Sequence, residues 1–313
     1  GALASGMSGL PFLEIVGKTI PAERRGEFFA WRFGLGGLFS IGASVFVRWL
    51  IDPAGPLPFP SNYGLLSGIF FVAASVSLLL YHGVQEPADT NHRPRASFSS
   101  QLKQAFGFFK RDGNYRSFIS MQSTLMIAGM ATPFYAVFVQ QQLGGSKAMV
   151  GVYLGITMVG NLLANILFGR MSRRMGNRKV MLMATLAGGA MSILVLLLAF
   201  LARPLGLSGV GADLWLAPVF ILSALRGTGI GVAANSLLLD ISPVSERSVY
   251  MGFNNTFQGI VLLFTSVSGF ILATIGFIPL VIITLAAHAW ALFSASRIQL
   301  TYSPQPQPQP QNS

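Results

Sequence analysis

The chain has 313 residues, 52% of them hydrophobic and only 10% charged, with a mean hydropathy of +0.59. Soluble domains are about 25% charged, so this composition excludes a soluble fold, and its 35 glycines suit membrane helices, where glycine is more frequent. The net charge of +11 raises the question of a nucleic-acid partner, while the absence of cysteine excludes disulfides, thiol catalysis and cysteine-ligated metal.

Apolar runs follow one another along the chain at 29–50, 63–83, 117–140, 149–169, 179–202, 215–240, 253–275 and 278–297, after a shorter run at 2–17. Each of the eight is about 20 residues or more, enough to cross a hydrocarbon core of about 30 Å at about 1.5 Å per residue. A lipid-exposed backbone must satisfy its hydrogen bonds internally, so these runs are helices. The class is an all-α polytopic membrane protein, with the lipid bilayer as its first partner.

Alternating the loops puts Lys18, Arg24, Arg25, Arg32, Arg93, Arg95, Lys103, Lys110, Arg111 and Arg116 on one side. The same side takes Arg170, Arg173, Arg174, Arg178, Lys179, Arg247 and Arg297, which brings it to seventeen of the 21 Lys and Arg residues. The positive-inside rule makes that side, and the C-terminus, cytoplasmic in the cell (plasma or inner) membrane. The charges therefore sit in gaps between spans, and no nucleic acid is expected. The opposite side has "DPAGPLPFPSN" (52–62), a stiff turn without positive charge. On the longest cytoplasmic loop, Phe98, Leu102, Phe106 and Phe109 share a helical face, away from Lys103 and Lys110, as in a helix lying at the membrane interface. The tail "PQPQPQPQNS" reads as low-complexity and disordered.

Sliding the chain over itself by 222 residues superimposes 1–37 on 223–259 without a gap. Ala2 meets Ala224, Leu3 Leu225, Gly9 Gly231, Pro21 Pro243, Arg25 Arg247 and Gly37 Gly259. In both copies an apolar helix ends, a Pro-led turn with Glu and Arg follows, and a glycine-bearing helix begins. Repeats of this kind build transporters from related halves. The downstream copy is the fourth of six spans from residue 117. The chain therefore reads as lacking roughly three and a half helices of an upstream half.

These features resemble the major facilitator superfamily of bacterial type, here truncated at the N-terminus. "GRMSRRMGNRK" (169–179) is similar to the family's Gly-x-Leu-Ala-Asp-Arg-x-Gly-Arg-Lys loop, matching at Gly169, Arg174, Gly176 and Lys179, with Arg178 adding to its charge. "PAERRG" and "PVSERS" resemble the turn after the fourth helix of each half, and "RGTGIG" (226–231) resembles the Arg- and Gly-containing motif of that helix. The resemblance implies the superfamily fold: 1–84 as the end of the N-terminal bundle, 85–116 as the inter-bundle loop, 117–299 as a complete C-terminal six-helix bundle, and 300–313 as the tail. One departure stands out. Arg173 occupies the place of the family's acid, which latches the cytoplasmic side. Either the latch is lost or this copy of the motif is only a turn.

The resemblance further implies that the first and fourth helices of each half line a central cavity. The polar residues there make Gln122, Thr132, Tyr135, Arg226 and Asn235 the candidate substrate-cavity residues. Arg226, near mid-depth, is expected off the lipid face, since an Arg there costs about 2.5–3.5 kcal/mol on insertion scales. It either binds an anionic group or makes a structural pair. His288, in a helix expected at the periphery, reads as a packing residue. Asn161 and Asn165 read as an interhelical hydrogen-bonding pair, and Gly151 and Gly155 as a close helix contact. Glu14 and Asp240 lie only near cytoplasmic ends, so a proton or other coupling ion would be carried elsewhere. The implied function is a secondary transporter of a small organic solute with no cofactor, metal site or enzymatic activity. The alternatives are a transporter-like receptor without transport and a lipid-modifying membrane enzyme.

Overall fold

The structure, a computed structural model, describes residues 12–51, 56–83, 98–146 and 149–299. The first 11 residues with the start of the repeat, the loop containing Arg93 and Arg95, Lys147 and the Pro/Gln tail lie outside the described residues. So do the side chains of Arg48, Phe98 and Leu102.

Among the described residues there are helices and no strand. In chain order they are α1 (12–19), α2 (Ala22–Ile51), α3 (Ser61–His82), α4 (Phe98–Arg111), α5 (Gly113–Ala128) and α6 (Phe134–Gln142). There follow α7 (Met149–Met175), α8 (Asn177–Leu201), α9 (Val210–Ile241), α10 (Arg247–Thr265), α11 (Ser268–Ile275) and α12 (Phe277–Ser296). Six stretches are long and apolar enough to cross a membrane: α3, α7, α8, α9, α10 with α11, and α12. At 30 residues α2 also has the length to cross.

The run at 117–140 forms two helices instead of one. Gly129 caps α5, its N–H turning back to the Met126 carbonyl at 3.0 Å, and Pro133, which has no N–H to give, opens α6. The α7–α8 turn depends on Gly176, whose φ of +83° lies where side chains are disfavoured.

Two buried apolar clusters stack along the bundle. One gathers Phe118, Val180, Leu237 and Tyr250, and the other Tyr135, Met191, Leu216 and Leu280. Between them lies a buried polar layer of Thr185, Ser192, Thr284 and His288, all 0% exposed. Thr185 and Ser192, the few polar residues of α8, thus face inward, while Leu186 (56% exposed) and Leu197 (41%) cover its outer side.

The α1–α2 turn, α4, the α7–α8 turn and the α9–α10 turn share one end, here the basic end. The aromatic face of α4 packs on α10 there. Phe106 and Phe109 lie 5.2 and 5.9 Å from Phe253, and Phe108 lies 5.0 Å from Tyr250. The α4 helix is therefore docked on the bundle, with Lys103 and Lys110 exposed.

The two copies of the repeat meet at the same end. Arg25 and Arg247, equivalent by the 222-residue offset, both donate to the Gly17 carbonyl, each at 3.0 Å. Arg25 also pairs with Asp240 at 3.0 Å, and Asn177 Nδ2 donates to the other Asp240 oxygen at 2.9 Å. Ser172 Oγ lies 2.6 Å from Asn177 Oδ1 and donates to it. Gly26 makes this closeness possible. A Cβ there would overlap Ser172 Oγ and come within 2.5 Å of Asn177 Oδ1. Gly26→Ala is expected to lower the melting temperature of the purified protein, as overpacking costs about 1–3 kcal/mol. Adding Ser172→Gly should recover part of that loss, and no recovery would rule out this steric account.

Candidate central cavity

The seam between α2 and α7 is tight at the basic end and loosens with distance from it. A Cβ on Gly169 would stand 2.8 Å from the Ala30 Cβ, one on Gly34 3.5 Å from the Asn165 Cβ, and one on Gly37 3.9 Å from Leu162. Beyond that, among the described residues, a Cβ on Gly42, Gly151 or Gly155 would meet nothing within 4 Å. Close helix approach among the described residues occurs at Gly160 on Ala224 and Gly229 on Ala184.

Where the seam opens, a cavity of about 420 Å³ lies between α2, α7 and α9, with Phe33, Ser40, Asn161, Asn165 and Thr228 among its lining residues. Asn161 Oδ1 accepts from Thr228 Oγ1 at 3.0 Å, while Asn165 Nδ2 donates within its own helix to the Asn161 carbonyl. The two asparagines thus combine one interhelical bond with a lining role. A second cavity, of about 500 Å³, lies between α5, α9, α10 and α11 and is lined by Gln122, Gly129, Arg226, Gln258, Thr265 and others.

Of the candidate residues, Gln122 and Arg226 line this second cavity. Thr132, Tyr135 and Asn235 line neither cavity. Thr132 lies in the α5–α6 break, Tyr135 is fully buried in an apolar cluster, and Asn235 is half-buried farther along α9.

The α5–α6 break explains how Arg226 is held near the midpoint of α9. Because the Gly129 N–H bonds to Met126, the Leu125 carbonyl lacks its usual helical partner and accepts from Arg226 Nη2. The guanidinium sits at the negative end of the α5 dipole. On its other side, Arg226 Nε donates to His288 Nε2 at 3.1 Å. His288 Nδ1 lies 2.8 Å from the Thr284 carbonyl, so the proton belongs on Nδ1 and Nε2 is the acceptor, the neutral tautomer. His288 is thus the partner of the intramembrane arginine, a role its expected peripheral place concealed. The third nitrogen, Nη1, makes no hydrogen bond among the described residues.

At the basic end, Arg173 Nη1 lies 3.4 Å from Glu27 Oε1 of α2. The arginine at the place of the family's acid thus faces an acid across the seam. Arg178 serves another purpose: it donates to the Ala295 and Ser296 carbonyls at 3.3 and 2.7 Å, closing the end of α12. Arg174 and Lys179 are exposed.

Two of the chain's acids are structural: Glu14 pairs with Lys18 at 3.3 Å and Asp240 with Arg25. A third, Asp213, is 2% exposed at the far end. It accepts from the Ser146 N–H at 2.9 Å and the Tyr153 hydroxyl at 2.8 Å, tying the α6–α7 loop to α9. Its position just before the 215–240 run hid it from hydropathy.

The broken α5–α6 helix and α9, with its mid-span arginine, line one cavity, and α9 lines the other with α2 and α7. The long apolar helices around them make this a multi-pass membrane protein. The Major Facilitator Superfamily matches residues 1–266 and again 117–312, and the chain belongs to this family. No curated protein matches it in sequence. Among solved structures, it is similar to the crystal structure of a bacterial homologue of the iron transporter ferroportin in outward-facing state. The TM-score is 0.72 at 17% identity, covering 95% of this chain and 70% of that one.

Proposed function

We propose that the protein is a secondary active transporter that moves a small organic solute by alternating access. The observation that carries this reading is the α2–α7 seam, closed at the basic end and open beyond Gly37, with cavities beside α9 at the divergence. The distribution of Lys and Arg makes the basic end cytoplasmic, so the structure corresponds to an outward-facing state. The cytoplasmic end is closed by Arg25, Asp240, Asn177 and Gly17, and by Arg173 with Glu27. Rocking of one half against the other would break these contacts and open the cavity inward. A metal cation would meet the Arg226 guanidinium, which favours an organic solute over the ion named for the ferroportin homologue. A transporter-like receptor without transport drew its support from Arg173, and we read the Arg173–Glu27 contact as part of a working cytoplasmic closure instead.

The chain has no cysteine, so thiols can be placed at will. Ser40→Cys, in the cavity, is expected to react with a membrane-impermeant maleimide from both faces of sealed vesicles, faster from the face opposite the basic loops. Lys179→Cys should react only from the cytoplasmic face. Reaction of Ser40→Cys from one face alone would overturn alternating access.

A further inference from the structure

The two cavities adjoin around α9. Successive residues of a helix turn by about 100°, so Arg226 and Ile230 face one cavity and Thr228 and Gly231 the other, with Gly227 between them lining both. Among the described residues a Cβ on Gly227 would meet nothing within 4 Å. The two spaces thus adjoin at a residue that places no side chain between them.

Their chemistry differs. The compartment beside α5 contains Arg226, with Nη1 uncommitted, and the amides of Gln122 and Gln258, whose Oε1 atoms are buried without a donor. The compartment between α2 and α7 has no formal charge among its described lining residues: Asn161, Asn165, Thr228 and Ser40 line it with Phe33. Asn165 is 7% exposed, and its Oδ1 is also buried without a donor. Among the described residues no acidic residue lines either compartment. The Arg226 charge is met there by the partial charge at the end of α5, about half an elementary charge, and by a neutral histidine. Unpaired buried acceptors on both sides call for hydroxyl or N–H donors.

We propose that the substrate is an elongated organic monoanion lying across Gly227. Its carboxylate-type group binds Arg226 Nη1, and its far end, bearing a hydroxyl or N–H group, donates to the amide oxygens of the Asn161–Asn165 compartment. Gly227 sets the length accepted. This deepens the transport reading and rests on it.

The test uses the full chain in detergent, with ligand-induced rise in melting temperature read for three probes: ω-hydroxyoctanoate, butanoate and ω-hydroxyoctanamide. The hydroxy acid should bind best and the amide at least about tenfold more weakly, since a hydrogen bond to a charged group contributes about 1.5–3 kcal/mol. Arg226→Gln should abolish the difference between acid and amide. Gly227→Val, whose Cβ would meet nothing within 4 Å among the described residues, should weaken the hydroxy acid more than butanoate. Equal binding of acid and amide, equal losses for the long and short acids in Gly227→Val, or no stabilisation by any probe would each overturn the proposal. Uptake of the hydroxy acid into proteoliposomes separates the two readings. Binding with the expected pattern but without uptake upholds the bipartite site and overturns transport.

Discussion

Gly188→Ala is expected to cripple the protein, whereas Gly189→Ala, one residue along the same helix, should be nearly silent. A Cβ on Gly188 would overlap His288 Nε2, come within 2.6 Å of His288 Cδ2 and stand 2.8 Å from Arg226 Cδ. Relief requires His288 to leave Arg226, or Arg226 to leave the Leu125 carbonyl. His288 is 0% exposed, with its ring held by the Thr284 carbonyl, and Arg226 is half-buried. Either movement strips a hydrogen bond from a cation inside the membrane, where unsatisfied polar groups are costly. A Cβ on Gly189 would make only an ordinary contact of 3.9 Å with the His288 Cβ. The measurement is the melting temperature of each purified variant, with binding of ω-hydroxyoctanoate as a second readout. Gly188→Ala should lose both stability, by about 1–3 kcal/mol from overpacking, and the preference for acid over amide. Similar behaviour of the two variants would show that the Arg226–His288 contact is not what holds the guanidinium in place.

The same pair shows what the sequence could and could not disclose. Arg226 was legible because charge inside an apolar run is an intrinsic anomaly. Its partner was not. His288 sits 62 positions away on a helix with no periodic signal, and the geometry joining them arises from the break at Gly129 and Pro133. Hydropathy averages over such a break, so 117–140 read as one span. The repeat behaved differently. Aligning Pro21 with Pro243 and Arg25 with Arg247 identified equivalent turns from the sequence. That both arginines donate to Gly17 became visible only once the two turns stood against each other. At Arg173 the local motif could not disclose the facing acid, because Glu27 lies 146 positions upstream on another helix. Spacing rules read neighbours along one element. Pairs across the seam follow from helix packing.

A disulfide across that seam should trap the outward-facing state proposed above. The Cβ built on Gly34 stands 3.5 Å from the Asn165 Cβ, at the near edge of the about 3.5–4.5 Å separation a disulfide spans. Gly34→Cys with Asn165→Cys is therefore expected to cross-link on mild oxidation, since the chain contributes no competing thiol. The cross-link fixes α2 to α7 next to the closed end, so the half carrying α2 can no longer swing away. With Ser40→Cys added as the reporter, the oxidised protein should react with impermeant maleimide from the outer face and lose its reaction from the cytoplasmic face. The same protein left reduced should keep both. Asn165→Cys alone, treated with oxidant, supplies the control for the lost amide. Full cross-linking with undiminished reaction from the cytoplasmic face would mean that the cavity reaches that side without parting α2 from α7. The hinge would then have to lie elsewhere than this seam.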